Sequence, residues 1–108
     1  MIGACNEGMG STKFAQWFCE AKSPHELIER VYRRFELGGH KAAAMAMVLE
    51  NASIDLISEM PDDYVKSLFM TPRNSAQEAL DIALTEYGSD CTVIAIPYGG
   101  AILPFSDE

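Results

Sequence analysis

Apolar residues recur along this chain with a spacing that changes period, and the changes mark its elements. Met1 to Cys5 is a short apolar run. Ser11 then caps a helix from Thr12 to about Ala21, where Phe14, Trp17, Phe18 and Ala21 fall at i, i+3, i+4 and i+7 on one face. On that stripe Trp17 reads as core. Ser23, Pro24 and Glu26 form the next start signal, with an N-cap, a proline at the first helical position and an acid closing a capping box. This helix runs to about Leu37, with Leu27, Ile28, Val31, Tyr32 and Phe35 inward, and Gly38-Gly39 stops it. His40 to Glu50 is apolar all round through its middle and predicts a buried helix touching two layers.

Ser53 to Ser58 is a short β-branched strand whose Asp55 belongs near an edge or a polar cleft. Pro61-Asp62-Asp63 opens a helix with Tyr64, Val65, Leu68 and Phe69 inward, its acids matching the helix dipole. Thr71 to Asn74 reads as a loop. Ser75 and Glu78 make a second capping box for a helix with Leu80, Ala83, Leu84 and Tyr87 on one stripe, ended by Gly88. Cys91 to Ile96 is a continuous apolar strand of the kind helices cover on both faces, and Pro97 to Gly100 turns it. Ile102 to Phe105 adds a short extended piece. Strands alternating with helices predict an α/β fold: one domain over residues 1–108, three layers α/β/α, with a short, mostly parallel sheet of three to four strands in the order β-α-α-α-β-α-α-β.

A length of 108 residues with 48 % hydrophobic content supports one buried core. No apolar run approaches the ~20 residues that span a bilayer, and no signal peptide is visible, so a cytoplasmic protein without a membrane partner is expected. A formal net charge of −8 argues against nucleic acid. The basic cluster of Arg30, Arg33 and Arg34 is interleaved with Glu26, Glu29 and Glu36 and reads as a solvated helix face. The three cysteines have no paired spacing, which disfavours disulfides and zinc; Cys19 and Cys91 read as small buried hydrophobes. No metal ligand set is visible.

In open parallel sheets, ligands bind beyond the carboxyl ends of the strands. Three segments meet that condition: Asn6 to Ser11, Glu59 to Asp62, and Tyr98 to Gly100. The first, with Gly8, Gly10 and Ser11 opening a helix, is either an anion cradle or a tight turn; its spacing matches neither a dinucleotide fingerprint nor a P-loop. A second spot is Gly38-Gly39-His40-Lys41. A cationic first turn opposes the helix dipole, so His40 is a candidate proton shuttle or ligand, and Lys41 a candidate carboxylate partner. The alternative is a loop-to-helix transition with His40 as a half-buried cap. Tyr98 and Gly99 complete the candidates. With two histidines far apart and no catalytic triad order, no catalytic residue is assigned.

An ordered set of stretches resembles the C-terminal part of the nickel-pincer-dependent lactate racemase family. The stretches are Ala4-Cys5-Asn6-Glu7-Gly8-Met9-Gly10-Ser11 with Phe14, Glu20-Ala21-Lys22-Ser23-Pro24, Phe35-Glu36-Leu37-Gly38-Gly39-His40-Lys41-Ala42, Met60-Pro61 after a strand, Ser75-x-x-Glu78-Ala79-Leu80, and Ile96-Pro97-Tyr98-Gly99-Gly100. The resemblance implies a two-lobed racemase or epimerase of 2-hydroxy acids. Nickel sits there in a pyridinium-derived pincer nucleotide attached to a lysine, two histidines serve as acid and base, and hydride passes to and from the cofactor. Those groups belong to the family's N-terminal part, so this chain is expected to bind no cofactor alone, to be catalytically incomplete, and to pair with an N-terminal catalytic lobe in the same or a separate chain.

The chain's start on a strand fits a lobe of a larger enzyme. Its cleft candidates are Asn6, Gly8, Gly10, Ser11, His40, Lys41, Tyr98 and Gly99. A substrate-side tryptophan of well-known members falls near His40-Lys41; its replacement puts lactate itself in doubt, so the resemblance implies a small hydroxy-acid substrate, with other hydroxy acids or sugar acids open. A homo-oligomer is a further expectation. The readings from other classes are a non-catalytic α/β interaction or small-ligand-binding module, with the sheet edges and the His40–Glu50 helix as partner surface, and a small nucleotide-binding domain using the opening loop.

Overall fold

Ser11 starts the first helix as its spacing predicts: in the computed structural model, which describes residues 1–105, its Oγ accepts the Phe14 N–H at 3.3 Å. The helix α1 (Thr12–Glu20) buries Phe14, Trp17 and Phe18. Cys19, one step off that stripe, is exposed rather than buried, and Cys91 is half-buried. The helix α2 (Pro24–Arg33) carries its proline in the first turn. Its box is shifted by one residue, because Ser23 makes no side-chain cap and the Glu26 carboxylate accepts the Lys22 N–H at 2.8 Å. The same shift recurs at α5 (Ala76–Tyr87), where Ser75 Oγ accepts from the Glu78 N–H and the Glu78 carboxylate accepts from the Asn74 N–H.

α2 ends at Arg33, short of the expected Leu37, and Arg34 is already extended. Tyr32, although within α2, is exposed rather than inward; beyond the early end Phe35, also expected inward, is exposed, as is Leu37. The reason for the early end lies in the next helix. α3 (Gly39–Leu49) begins with its first residue on Trp17: a Cβ placed on Gly39 would lie 2.4 Å from Trp17 Cε2. Another helical turn on α2 would carry the chain about 5.4 Å further along its axis before turning back. The chain instead leaves the helix early, and the Glu36 carboxylate is held by Lys13 Nζ at 3.0 Å.

Buried Ala42, Ala43 and Ala46 let α3 sit close to α1 and α2. Its other side exposes Met47 and Val48, so the expected burial in two layers holds for one face only. Trp17 is fully buried, with the Arg30 guanidinium 4.3 Å from its ring centroid. Arg30 also bonds Glu20, Arg33 reaches Glu29, and Arg34 reaches Glu36, the solvated ion-pair face that the charge pattern predicts.

The sheet pairs β1 (Asp55–Leu56) in parallel with β2 (Thr71–Pro72). On the other side of β1, Ile2 bridges Ile57 in parallel, with Gly3 N–H donating to Ile57 O and Ile57 N–H donating to Met1 O. Three segments thus meet, but they are not the three expected. Thr71–Pro72, read as a loop, supplies the edge. Thr71 and Arg73 donate their N–H groups to Ile54 and Leu56, which leaves the proline nitrogen, with no hydrogen to give, on the outer edge. Cys91 to Ile96, expected as a covered strand, has no ladder partner among the described residues, and neither has Ile102 to Phe105.

Leu56, Met60, α4 (Asp62–Ser67) through Val65, and then Leu68 and Met70 join the aromatic side of α1 in one core. Asp55 points to the opposite side of the sheet, as strand alternation requires, and takes the Arg73 Nε–H at 2.9 Å. There α5 faces the sheet across a groove of about 740 Å³ lined by Met1, Ile54, Asp55, Leu80, Ala83 and Tyr87. The order of layers is therefore helices, sheet, helix. The last layer is thin, since α5 buries no residue completely.

Two outcomes test this packing. Gly39→Ala should cost about 2–3 kcal/mol, because the added methyl meets a rigid indole ring, and lower Tm by roughly 10 °C or more. Gly8→Ala, where a Cβ meets only open space and the penalty is the positive φ of 68°, should cost about 1 kcal/mol. Equal melting temperatures for the two variants in thermal unfolding would refute the close approach. The second outcome concerns His25, whose Nδ1 lies 2.7 Å from Glu50 across α2 and α3. The hydrogen bond and charge of Glu50 raise its pKa above the ordinary 6.5. Its stabilisation is thus complete below that ordinary value and lost as pH rises through the raised one. Wild type should melt above His25→Gln near about pH 5.5 and level with it near about pH 8.5.

Candidate functional site

The loop after the first strand segment is built by three consecutive demands on backbone conformation. Cys5, Gly8 and Gly10 have positive φ of 55°, 68° and 72°. Gly8 N–H returns to Cys5 O at 2.9 Å, and Ser11 N–H to Met9 O at 2.8 Å. No atom lies within 4 Å of a Cβ placed on either glycine. These glycines therefore serve the turn, and the space in front of them is open. Asn6 is exposed on this loop, while Met9 folds back onto the core.

Gly8 belongs to two adjoining depressions. One is shared with Cys5, Asn6, Glu59, Met60, Pro61 and Tyr64, and the other runs along Glu7 to Thr12 with Ala15 and Tyr64. The carboxyl ends of the first two strand segments therefore come together as the parallel sheet predicts, and Tyr64 of α4 forms part of both walls. The third expected segment does not join them: Tyr98 and Gly99 are exposed, and a Cβ on Gly99 would meet nothing within 4 Å.

The second sequence candidate does converge on the first. Gly38, the N-cap of α3, has φ 90°, and its Cβ position lies 2.9 Å from Ser11 Oγ and 3.2 Å from Lys13 Cβ. The N-caps of α1 and α3 are thus in contact. His40 Nδ1 accepts the Gly38 N–H at 3.1 Å, which leaves Nε2 to carry the ring proton. Its ring lies 5.4 Å from that of Phe35. This is the capping role among the alternatives that its sequence position leaves open. Lys41 is exposed and makes no ion pair among the described residues.

Lys13 and Glu36 lock the two N-termini from the side, and the Lys13 ammonium, first through its hydrogen bond, holds the Glu36 carboxyl below the usual carboxylate value. Neither residue stands out in the sequence, because they are 23 positions apart and nothing local pairs them; Tyr64 is similarly indistinguishable from an inward helix residue. Among the described residues no three His, Cys, Asp or Glu side chains converge as a metal shell. Among the described residues no helix is long and apolar enough to cross a membrane.

With that geometry in place, comparison with known proteins is informative. Residues 1–103 match the family model of the lactate racemase C-terminal domain. The chain is 29 % identical over 104 residues to the lactate racemase of Thermoanaerobacterium thermosaccharolyticum, a match covering 92 % of this chain and 24 % of that relative. The solved structure of the lactate racemase apoprotein from the same organism superposes with a TM-score of 0.74 at 29 % identity, over 82 % of this chain and 22 % of that one. The chain thus spans about a quarter of the length of the relative it matches.

Proposed function

The chain belongs to the lactate racemase C-terminal domain family, and from that membership we propose that it is the C-terminal lobe of a nickel-pincer-nucleotide-dependent 2-hydroxy-acid racemase or epimerase, forming one wall of the cleft for substrate and cofactor. The observation that carries the reading is the contact between the N-caps of α1 and α3. The first four N–H groups of a helix have no intrahelical acceptor, and each helix N-terminus acts as about half a positive charge. Two such termini side by side, with unpaired Lys41 in the first turn of one of them, suit an anionic group. A 2-hydroxy acid brings a carboxylate, and a nucleotide cofactor brings phosphate.

The roles divide by chemistry. Lys41 pairs with the carboxylate as a positioning charge. Asn6, the Ser11 hydroxyl and the loop N–H groups other than those of Gly8 and Ser11, which bond within the turn, orient polar oxygens. His40 holds the α3 N-cap through Nδ1 and shapes the wall. The described residues do not fit a nickel shell, since no three candidate ligands converge among them. The metal, the acid and the base are assigned to an N-terminal lobe in the same or a separate chain.

The test joins this chain to such a lobe and follows a panel of 2-hydroxy acids and sugar acids by chiral chromatography. Interconversion of at least one is expected. Lys41→Ala should raise KM about tenfold, as loss of one charge-assisted hydrogen bond predicts, with kcat little changed. A folded two-lobed protein that leaves the whole panel unconverted would overturn the proposal, and an unchanged KM would remove Lys41 from it.

A further inference from the structure

The sheet has one closed edge and one open edge. β2 closes its side with the nitrogen of Pro72, which has no proton to donate. On the other side, Gly3 N–H and Met1 O are engaged with Ile57, so in a parallel ladder the N–H and C=O of Ile2 and the N–H of Ala4 face outward. Ile2 is 73 % exposed there. An open edge of this kind is a template for another strand.

The chain carries one run suited to that edge. Cys91 to Ile96 is apolar and rich in β-branched residues, yet it lies outside the ladder with Val93 and Ile94 60 % and 75 % exposed. Its tether leads the right way. α5 follows β2 and crosses the groove, and its last turn, at Glu86 and Tyr87, lines the same groove as Met1. Three residues, Gly88 to Asp90, then connect to Cys91, a usual length for a helix-to-strand link. A crossover from β2 through α5 therefore delivers the run beside Met1.

We infer that Cys91–Ile96 adds to the open edge of Met1–Ala4 as a parallel strand, and that this pairing carries Tyr98 and Gly99 to the Asn6–Ser11 loop. Parallel strands end on the same side, so the Pro97–Gly100 turn comes to lie where the candidate cleft begins. The Tyr98 hydroxyl and the Gly99 N–H then join the wall as further hydrogen-bonding groups. The pairing stands on the backbone geometry alone, while its bearing on ligand recognition rests on the cleft reading above.

The experiment uses the full 108-residue chain with Cys5→Ser, Cys19→Ser and Cys91→Ala. Ile2→Cys is combined in turn with Val93→Cys, Ile94→Cys or Ala95→Cys, with Leu103→Cys as control. Under mild oxidation, one of the three pairs should form an intrachain disulfide at least ten times faster than the control, read by mass spectrometry of digests. Cross-links only between chains, or none faster than the control, would overturn the inference.

Hydrogen exchange on the unaltered chain covers the case in which a variant fails to fold. Amides of Ile2, Ala4 and alternate residues within 92–96 should exchange at least tenfold slower than in unstructured peptides, and full exchange across residues 92–96 would refute the pairing. Neither readout involves substrate or a second lobe, so each can fail while the proposed function stands.

Discussion

The close approach of Gly39 to Trp17 is the contact on which the other arrangements depend. The indole is fully buried, with α3 starting on it and the Arg30 guanidinium stacked at 4.3 Å. Only a residue without Cβ lets the first turn of α3 lie on an aromatic ring at that distance. Because α3 must begin there, α2 must stop at Arg33, and the connecting residues must turn through Gly38 at positive φ. That turn puts Gly38 against Ser11. The touching N-caps are thus a by-product of how the core is assembled. The cost is visible too: Trp17 Nε1 is buried without a hydrogen-bond partner, a deficit of about 1–3 kcal/mol that the surrounding contacts offset.

In the proposed reading, this origin lets a chain of net charge −8 offer helix N-termini to an anion. The positive character comes from backbone dipoles and does not require a cluster of basic side chains. Lys13, the cation nearest both caps, is neutralised by Glu36, and the two are fixed by one short contact. What remains is a pair of oriented N–H arrays and Lys41. Such a wall favours a small anion and disfavours a polyanion, which would meet the acidic remainder of the surface. The same charge balance that argues against nucleic acid therefore leaves a carboxylate-sized ligand acceptable.

Much of this was legible in the sequence wherever a physical rule acts over a few residues. Ser11 and Ser75 cap their helices, Phe14, Trp17 and Phe18 face the core, and the glycine loop turns as its spacing requires. The failures came where distant residues decide. Thr71–Pro72 has no strand pattern in two residues, and only its partners Ile54 and Leu56 make it one. Phe35 continues a helical stripe on paper, but the Trp17 contact ends the helix before it, and Tyr32, still within the helix, faces solvent. Cys19 shares a helix with three buried aromatics and still falls off their face. At the site, the Lys13–Glu36 lock and the double role of Tyr64 carry no local signal, whereas Ser11, Gly38 and His40 each do.

The distribution of exposed apolar surface makes physical sense for one part of a larger assembly. The exposed large apolar groups include Tyr32, Phe35 and Leu37 around the α2–α3 connection and a run from Val93 to Phe105 after α5. Scattered single residues would need no explanation, but contiguous patches mark surfaces that are covered in use. Phe35 of the first group lies 5.4 Å from the His40 ring, so in the proposed reading whatever covers it would also exclude water from the helix ends and strengthen every dipole there. The chain spans about a quarter of the length of the relative it matches, and the proposed second lobe would supply that cover. In the proposed function the apolar rim and the helix ends would act as one unit: a second lobe seated on the rim would turn two solvent-screened helix ends into a binding site.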